Sequence, residues 1–239
     1  MEKVITIRAF ADNYIYLFKY QQGCAVAVDP GDSKKVLSAL KKENLELKSI
    51  LLTHRHFDHT EGVKKLKKKT GCTVISSNKK QIASTDREVS AGDVLNFGSE
   101  KVRVISTPGH TSKSVCYYLE PSDGQSGAVF TGDTLFIGGC GRVFEADTKT
   151  MYTSLMSLAQ LPDDTVVYPG HDYTMENYQF ARMFDPETEK PQMPSTIGYE
   201  KRANIFMRAD SEIVKKALKM TGSKDYEVFD ELRRRKDSF

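Results

Sequence analysis

The 239-residue chain lacks tryptophan and has only four cysteines and five histidines. No stretch approaches the roughly 20 consecutive apolar residues that a membrane span needs. The formal net charge is only +3, and the Lys and Arg residues are dispersed along the chain. The sequence therefore argues against a membrane protein, and it does not indicate nucleic acid as the main partner.

The chain also lacks the features of an exported protein. Its N-terminus passes from Met1 directly into the strand-like run 4–7, with no apolar signal segment and no small-residue cleavage site. The cysteines are widely spaced and form no CxxC pair, which is typical of buried free thiols. We expect a reducing, cytoplasmic setting for this protein.

The five histidines are few, but they are not scattered. Three of them lie in segment 53–59 (THRHFDH), directly after the apolar run 48–52 that predicts a buried strand. The other two, His110 and His171, each follow a β-rich run and a Pro-Gly turn. Imidazole and carboxylate are the usual ligands of zinc and its neighbours, and buried polar groups cost free energy unless they are satisfied. This distribution favours a metal site over ordinary packing.

The order of residues within segment 53–59 predicts how the ligands divide. In an extended segment every second side chain points the same way. We therefore expect His54, His56 and Asp58 to converge on one side, while His59 serves a second point. This is more ligand capacity than one four-coordinate ion needs.

Asp133 lies just beyond another strand-like run at 127–131. Alone, it is best explained as a turn or cap residue. Beside five histidines at strand ends, we interpret it as a further ligand. Its two carboxylate oxygens allow it to bridge two metals, which a neutral imidazole normally cannot do.

The remaining pattern predicts an α/β protein with one large domain and a small helical appendage. The chain begins β-β-β-α-β, with Ser33 as the cap of the first helix, and has no Gly-x-Gly fingerprint for a dinucleotide after the first strand. The character of the sequence changes after His171. Beyond it we predict a helix over 174–184, a loop over 185–200, a helix capped by Asp210 or Ser211, and a last helix over 225–237.

Taken in order, these motifs resemble the metallo-β-lactamase superfamily and, within it, the glyoxalase II (hydroxyacylglutathione hydrolase) family. The HxHxDH segment, followed by one histidine, one aspartate and one histidine at strand ends, is specific to the superfamily only. Matches at both ends of the chain indicate the narrower family. The matching stretches are 12–14, 28–31, 53–59, 107–111, 131–136, 139–142, 169–174, 194–196 and 233–236.

The resemblance implies an αββα sandwich with the metals at the sheet edges, followed by a small C-terminal helical domain. We expect a catalytic domain over 1–172 and a helical, thiol-binding domain over 173–239. The resemblance also implies two divalent metal ions, with zinc favoured over iron and manganese. One ion would be bound by His54, His56 and His110 and the other by Asp58, His59 and His171, with Asp133 bridging them.

The family's thiol-side anchor matches Arg142, Tyr173, Arg233 and Lys236. From the residues alone, the pair on the last helix is best explained as a solvated basic end that the helix dipole favours; the resemblance makes it a predicted binding site. Where the family usually has Lys-x-Tyr, this chain has Arg142 and Phe144. Arginine holds a carboxylate in bidentate fashion, whereas Phe144 cannot donate a hydroxyl hydrogen bond. The stretch between residues 184 and 194 is also shorter than the family's usual helical insert.

The implied reaction is hydrolysis of an S-(2-hydroxyacyl)glutathione, such as S-D-lactoylglutathione, to glutathione and D-lactate in methylglyoxal detoxification. Asp58 and Asp133 would be the catalytic residues that orient the attacking water. One alternative is a mononuclear-iron persulfide dioxygenase of the same superfamily, and another is a non-enzymatic binding protein on this fold. The complete ligand set argues against the binding protein. We expect a monomer that acts on a small glutathione thioester, without nucleic-acid or membrane partners.

Overall fold

A computed structural model of the chain describes residues 3–21, 23–122 and 124–239. The strands are β1 (Val4–Ala9), β2 (Asn13–Gln21), β3 (Cys24–Val28), β4 (Glu46–Leu52), β5 (Thr73–Ser76), β6 (Arg87–Glu88), β7 (Val94–Phe97), β8 (Glu100–Ser106), β9 (Val115–Leu119), β10 (Ala128–Gly132), β11 (Leu135–Phe136), β12 (Gly139–Cys140), β13 (Val166–Pro169) and β14 (Ser195–Thr196). The helices are α1 (Ser33–Lys42), α2 (Phe57–Thr60), α3 (Val63–Thr70), α4 (Thr148–Leu158), α5 (Thr174–Arg182), α6 (Ile197–Ala203), α7 (Glu212–Leu218) and α8 (Asp225–Asp237).

Two six-stranded sheets form the centre of the molecule. The first has the order β1-β2-β3-β4-β5-β6 and the second the order β14-β13-β10-β9-β8-β7. Strands β3, β4 and β5 run parallel, as do β10 and β13. Parallel neighbours need crossover connections, and here α1, α3 and α4 lie in those crossovers. The carboxyl ends of the parallel strands consequently lie together at one edge of each sheet.

The two sheets pack face to face through large apolar side chains. Tyr16, Phe18, Leu51, Tyr117 and Phe130 are buried in this layer. Burying one large apolar side chain contributes about 1.5–3 kcal/mol, so this layer is a main source of stability. These side chains are contributed by both sheets, which fixes the sheets against each other.

Helices cover the outer faces of both sheets. Val36 and Leu40 of α1 pack with Leu66 of α3 over the first sheet. Leu155 of α4 and Phe229 of α8 belong to the cluster that covers the second sheet. The layers are therefore α, β, β and α, with further helices at the C-terminus, and the predicted fold is confirmed.

Two local predictions were wrong. Asp32, not Ser33, caps α1, because its carboxylate accepts hydrogen bonds from the backbone N–H groups of Lys34 and Lys35 at 2.8 and 3.2 Å. The predicted loop over 185–200 ends in β14 and the start of α6. Elements of two and seven residues are too short to give a periodic signal in the sequence.

All four cysteines are buried free thiols, as their spacing predicts. Burial raises the pKa of Cys116 to about 12 and that of Cys140 to about 11. The reactive form of cysteine is the thiolate, so these two groups are chemically quiet. Among the described residues, no helix has the length and apolar character needed to cross a bilayer.

Candidate metal centre and active site

The predicted ligands lie at the ends of four strands. The histidine segment follows β4, and His110 follows β8 after a Pro-Gly turn. Asp133 is the first residue beyond β10, and His171 lies two residues beyond β13. The two sheets bring these ends together, so side chains that are up to 117 positions apart in the chain meet at one place.

The first group consists of His54, His56, His110 and Asp133, whose ligand atoms lie within 4.8 Å of one another. His56 Nδ1 is 3.1 Å from His54 Nε2 and 2.9 Å from His110 Nε2. Asp133 Oδ2 is 3.2 Å from His110 Nε2 and 3.9 Å from His54 Nε2. Three imidazoles therefore face one carboxylate oxygen.

The second group consists of Asp58, His59 and His171. His59 Nε2 is 3.2 Å from His171 Nε2 and 3.4 Å from Asp58 Oδ2. The other oxygen of Asp133, Oδ1, is 3.3 Å from His59 Nε2 and 3.4 Å from His171 Nε2. Asp133 thus presents one oxygen to each group.

One expectation from the strand geometry was wrong. Asp58 does not point to the same place as His54 and His56, but groups with His59 and His171. The reason is that α2 begins at Phe57, so the two-residue alternation ends at His56 and Asp58 follows helical geometry. This grouping is compatible with the division that the family resemblance implies, and the assignment of ligands to two ions stays a prediction.

The residues present fit divalent cations. Ligand atoms around a tetrahedral zinc ion, with bonds of about 2.0–2.2 Å, stand about 3.3–3.6 Å apart, which is close to the separations in the second group. Asp133 Oδ1 is buried and has no hydrogen-bond partner within the described chain, so a bound cation would satisfy it. Gly170 leaves room beside it, since a Cβ there would lie 2.5 Å from Asp133 Oδ1.

The electrostatics of the two groups differ. Burial lowers the pKa of His54 well below its usual value and also lowers the pKa values of His56 and His110. These imidazoles are therefore neutral, which is the form that binds metals. Burial opposes protonation of His59 and His171 as well, but the neighbouring carboxylates raise both pKa values. The same carboxylates that favour a proton on these imidazoles would also favour a bound cation in the second group.

Partners behind the ligands hold them in place. Asp29 Oδ2 accepts from Thr53 Oγ1 at 2.5 Å and lies 3.0 Å from His59 Nδ1. Asp12 Oδ1 lies 2.8 Å from His171 Nδ1, and Asn13 donates to Asp58 Oδ2 at 2.8 Å. Such partners fix the tautomer and orientation of a ligand. The matching stretches 12–14 and 28–31 contain them, but the residues alone gave no role for them.

All five predicted substrate-binding residues line one cavity of about 320 Å³ together with the two ligand groups. Five of the proposed metal ligands line it: His56, Asp58, His110, Asp133 and His171. The predicted substrate-binding residues that also line it are Arg142, Phe144, Tyr173, Arg233 and Lys236. A cavity of this kind can bind a ligand with an anionic part beside a reactive centre.

The basic pair on α8 is not a solvated helix end. Arg233 is only 5% exposed, and its guanidinium donates to Cys140 O at 2.8 Å and to Asp237 Oδ1 at 3.0 Å. Arg233 Nε is buried without a partner in the described part of the chain. The Lys236 ammonium lies 4.8 Å from the Phe239 ring centre and donates to Glu176. Burial of these two cations beside a cavity supports a binding role over a solvated surface.

The other predicted residues differ in exposure. Arg142 is exposed, and its guanidinium makes no ion pair within residues 3–21, 23–122 and 124–239. Tyr173 stacks on His171, with ring centres 5.1 Å apart, and burial raises its pKa to about 12. The Phe144 ring is 59% exposed and lies 5.2 Å from the His110 ring. The cavity therefore has one unpaired cation, one neutral hydroxyl donor and one apolar ring in its wall.

Comparison with known proteins agrees with this arrangement. Residues 10–171 match the family model of the metallo-β-lactamase superfamily, and residues 172–239 match the model of the hydroxyacylglutathione hydrolase C-terminus. A hydroxyacylglutathione hydrolase of Chromohalobacter salexigens is 40% identical, in an alignment that covers all of both chains. The chain belongs to the hydroxyacylglutathione hydrolase family of the metallo-β-lactamase superfamily. The predicted family is thereby confirmed.

Two solved structures of similar proteins have the same fold as this chain. ETHE1 from Myxococcus xanthus is 29% identical, with 96% of each chain covered and a TM-score of 0.68. TTHA1623, solved in a di-iron-bound form, is 29% identical, with 84% of this chain and 98% of that chain covered and a TM-score of 0.63. The fold, together with the grouped His and Asp side chains, supports divalent metal binding. The full-length hydroxyacylglutathione hydrolase match does not favour the dioxygenase or the non-enzymatic alternative.

The family's C-terminal region also holds the loop between β11 and β12. Asn204 donates to Phe136 O at 3.3 Å and to Gly139 O at 3.0 Å, and Glu200 accepts from the Gly138 N–H at 2.9 Å. Both side chains are fully buried. This loop leads directly into the segment with Arg142. Neither Glu200 nor Asn204 is predicted from the sequence, because both fall in or near the region predicted as a loop.

Proposed function

We propose that this protein is a metal-dependent thioester hydrolase that cleaves S-(2-hydroxyacyl)glutathione, with S-D-lactoylglutathione as the expected substrate. One observation supports this most strongly. A single cavity joins two ligand groups that share Asp133 to three cations suited to the carboxylates of glutathione. Family membership supports the same reaction. The products are glutathione and a 2-hydroxy acid.

The site would hold two divalent ions, for which zinc is the proposed identity. His54, His56 and His110 are the proposed ligands of the first ion. Asp58, His59 and His171 are the proposed ligands of the second, and Asp133 is the proposed bridge. When bound, two such ions supply Lewis acidity and lower the pKa of a water from 15.7 to about 7.

The side chains of the protein position the reactants. Asp58 and Asp133 accept hydrogen bonds from the attacking water and orient it toward the thioester carbonyl. Asn13 fixes Asp58 by its 2.8 Å hydrogen bond. Holding a nucleophile near its target in this way accounts for a large part of many enzymatic rate enhancements. A free thiol has a pKa of about 8.5, so the thiolate leaves without a strong general acid.

The thiol half of the substrate would be bound by the cavity's cations. Arg142 offers a bidentate fork to a carboxylate, while Arg233 and Lys236 add charge from α8. The Tyr173 hydroxyl keeps its proton at neutral pH, since its pKa is about 12, and can donate a hydrogen bond. Phe144 contributes only apolar contact at the position where the family usually has tyrosine. We propose that residues 1–172 supply the reactive centre and residues 173–239 supply Tyr173, Arg233 and Lys236.

Hydrolysis of S-D-lactoylglutathione by the zinc-loaded protein tests this function, with loss of the thioester as the signal. We expect turnover in the wild type and a loss of activity and zinc content in His56→Ala. Oxygen uptake with glutathione persulfide is the matched assay for the dioxygenase alternative. Oxygen uptake without thioester hydrolysis would contradict the proposal.

A further inference from the structure

The segment 142–145 lies against the histidines of the first metal group. His110 Nδ1 is 2.9 Å from the backbone oxygen of Arg142, and a carbonyl can only accept, so this nitrogen bears the proton. The Phe144 ring centre lies 5.2 Å from the ring of His110 and 6.1 Å from that of His56. The segment therefore backs two of the three imidazoles directly.

Glu145 connects this segment to the two loops that contain those histidines. Its Oε1 accepts a hydrogen bond from the Arg55 guanidinium. Its Oε2 accepts from the backbone N–H of Ser112 at 2.9 Å and from the Ser112 hydroxyl at 3.0 Å. Arg55 lies between the two histidines of segment 54–56, and Ser112 lies two residues beyond His110. One carboxylate thus joins three separate parts of the chain.

Neighbouring side chains take part in different contacts here. His54 Nε2 lies 3.1 Å from His56 Nδ1, whereas Arg55 between them contacts Glu145. Likewise, the Phe144 ring lies against the rings of His56 and His110, whereas Glu145 contacts Arg55. In each of the two segments, 54–56 and 142–145, one side chain lies at the metal group and its neighbour takes part in the Arg55–Glu145 contact.

We propose that Glu145 is a positioning residue that fixes the spacing of His54, His56 and His110 through Arg55 and Ser112. This inference rests on the proposed function only in taking that group as a metal site. The contact sets how tightly the three-histidine site binds its ion. It also connects that site to Arg142, the proposed thiol anchor, through a segment of four residues.

The second group depends on different partners. Its three ligands have partners of their own: His171 contacts Asp12, Asp58 accepts from Asn13, and His59 contacts Asp29. None of these contacts involves Glu145, so its removal should weaken one metal site and leave the other intact. A general loss of stability would weaken both sites alike. Weakening of one site but not the other therefore distinguishes a positioning role of Glu145 from a general contribution to stability.

The chain offers a matched control in the Arg103–Glu120 pair. The Glu120 side chain is 27% exposed and that of Glu145 is 24% exposed, and each accepts from an arginine. The Arg103–Glu120 pair connects β8 to the residue after β9, within the second sheet. Exposed ion pairs of this kind contribute little to stability. Glu120→Ala thus measures the cost of losing such a pair without disturbing the histidine loops.

The experiment is a zinc titration of the metal-free protein in competition with a chromophoric chelator, resolved into two binding steps. We compare wild type with Glu145→Ala, Arg55→Ala, their double variant and Glu120→Ala. Partners behind metal ligands typically change metal affinity by 10–100-fold when they are lost. We expect a weakening of about that size in one step only, no further loss in the double variant, and no change in Glu120→Ala.

Unchanged affinity in both steps, or equal weakening of both, would overturn the proposal. If Glu145→Ala does not fold, Glu145→Gln keeps the side-chain volume and removes the charge that faces Arg55. Glu145→Gln should give a smaller loss of zinc affinity in the same single binding step. If no such loss is seen, the proposal is equally overturned. The titration uses no thioester, so a protein that fails to hydrolyse S-D-lactoylglutathione leaves the inference intact. A wild-type protein that binds no zinc would overturn both.

Discussion

The proposed metal end of the cavity, at the two ligand groups, and the proposed thiol end, at Arg142, Arg233 and Lys236, are built differently. At the metal end, His59 and Asp58 have the partners Asp29 and Asn13, which are only 3% and 5% exposed. At the thiol end, Arg233 and Lys236 are paired with Asp237 and Glu176, whose side chains are 46% and 58% exposed. Buried partners hold one geometry, whereas half-exposed carboxylates can exchange with a ligand. The proposed reactive centre is therefore preorganised, whereas we expect thiol binding to require adjustment.

The largest effect is expected at the shared ligand of the metal end. Asp133→Asn keeps the size of the side chain but replaces one of its two bridging oxygens with an amide that cannot bind a cation. Losing a residue that supports a metal ligand typically reduces metal affinity or activity by 10–100-fold. Losing the proposed bridging ligand itself should therefore reduce kcat/KM by at least about 100-fold. Zinc content should fall from two ions toward one, as measured by elemental analysis. Retention of two ions with full activity would contradict the bridging role.

A second prediction concerns Glu200, which holds the loop between the two ends. Burial raises its pKa to about 7, above the usual value of 4.5, although Ser195, Gly138 and Asn204 donate to it. The folded state therefore binds this proton more tightly than the unfolded state. The stabilising effect is complete below pH 4.5 and is lost as the pH rises to 7, for a total of about 3 kcal/mol.

Chemical denaturation between pH 4.5 and 8 measures this effect in wild type and in Glu200→Gln. We expect the difference in free energy of unfolding between the two proteins to change across that range, because glutamine does not titrate. Glu231→Gln is the control, since Glu231 is on the surface of α8 and its pKa is about 2. Parallel pH profiles for wild type and Glu200→Gln would refute the prediction.

The thiol end should respond in KM rather than in kcat. Arg142→Ala removes a cation that has no ion-pair partner in the described part of the chain, but it leaves the backbone oxygen that accepts from His110. Loss of a bidentate carboxylate contact should raise KM for S-D-lactoylglutathione by about 10-fold, equivalent to 1.4 kcal/mol, with little change in kcat. Arg142→Lys should recover part of the loss. A fall in kcat at constant KM would instead place Arg142 at the reacting centre.

The two ends also differ in how far the sequence could predict them. The histidines and Asp133 were predicted as ligands because their residue types and strand-end positions are rare together. Arg233 was best explained as a surface residue, because nothing local shows that Phe206 and Cys140 bury it. Glu145 and Glu176 gave no signal at all. Their partners lie 90 and 60 positions away along the chain, and only the folded structure brings them together.

The smallest expected effect tests whether the thiol end is adjustable. Glu176 lines the cavity and accepts from Lys236, so it occupies a cation that a substrate carboxylate could use. Glu176→Gln removes the competing charge, and an ion pair whose carboxylate is exposed is worth up to about 1 kcal/mol. KM should therefore fall by up to about 5-fold at low salt, with kcat unchanged. Glu231→Gln, on the same helix as Lys236 but outside the cavity, should leave KM as it is. A rise in KM would show instead that the Glu176 carboxylate itself binds the substrate, as a partner for the ammonium group of glutathione.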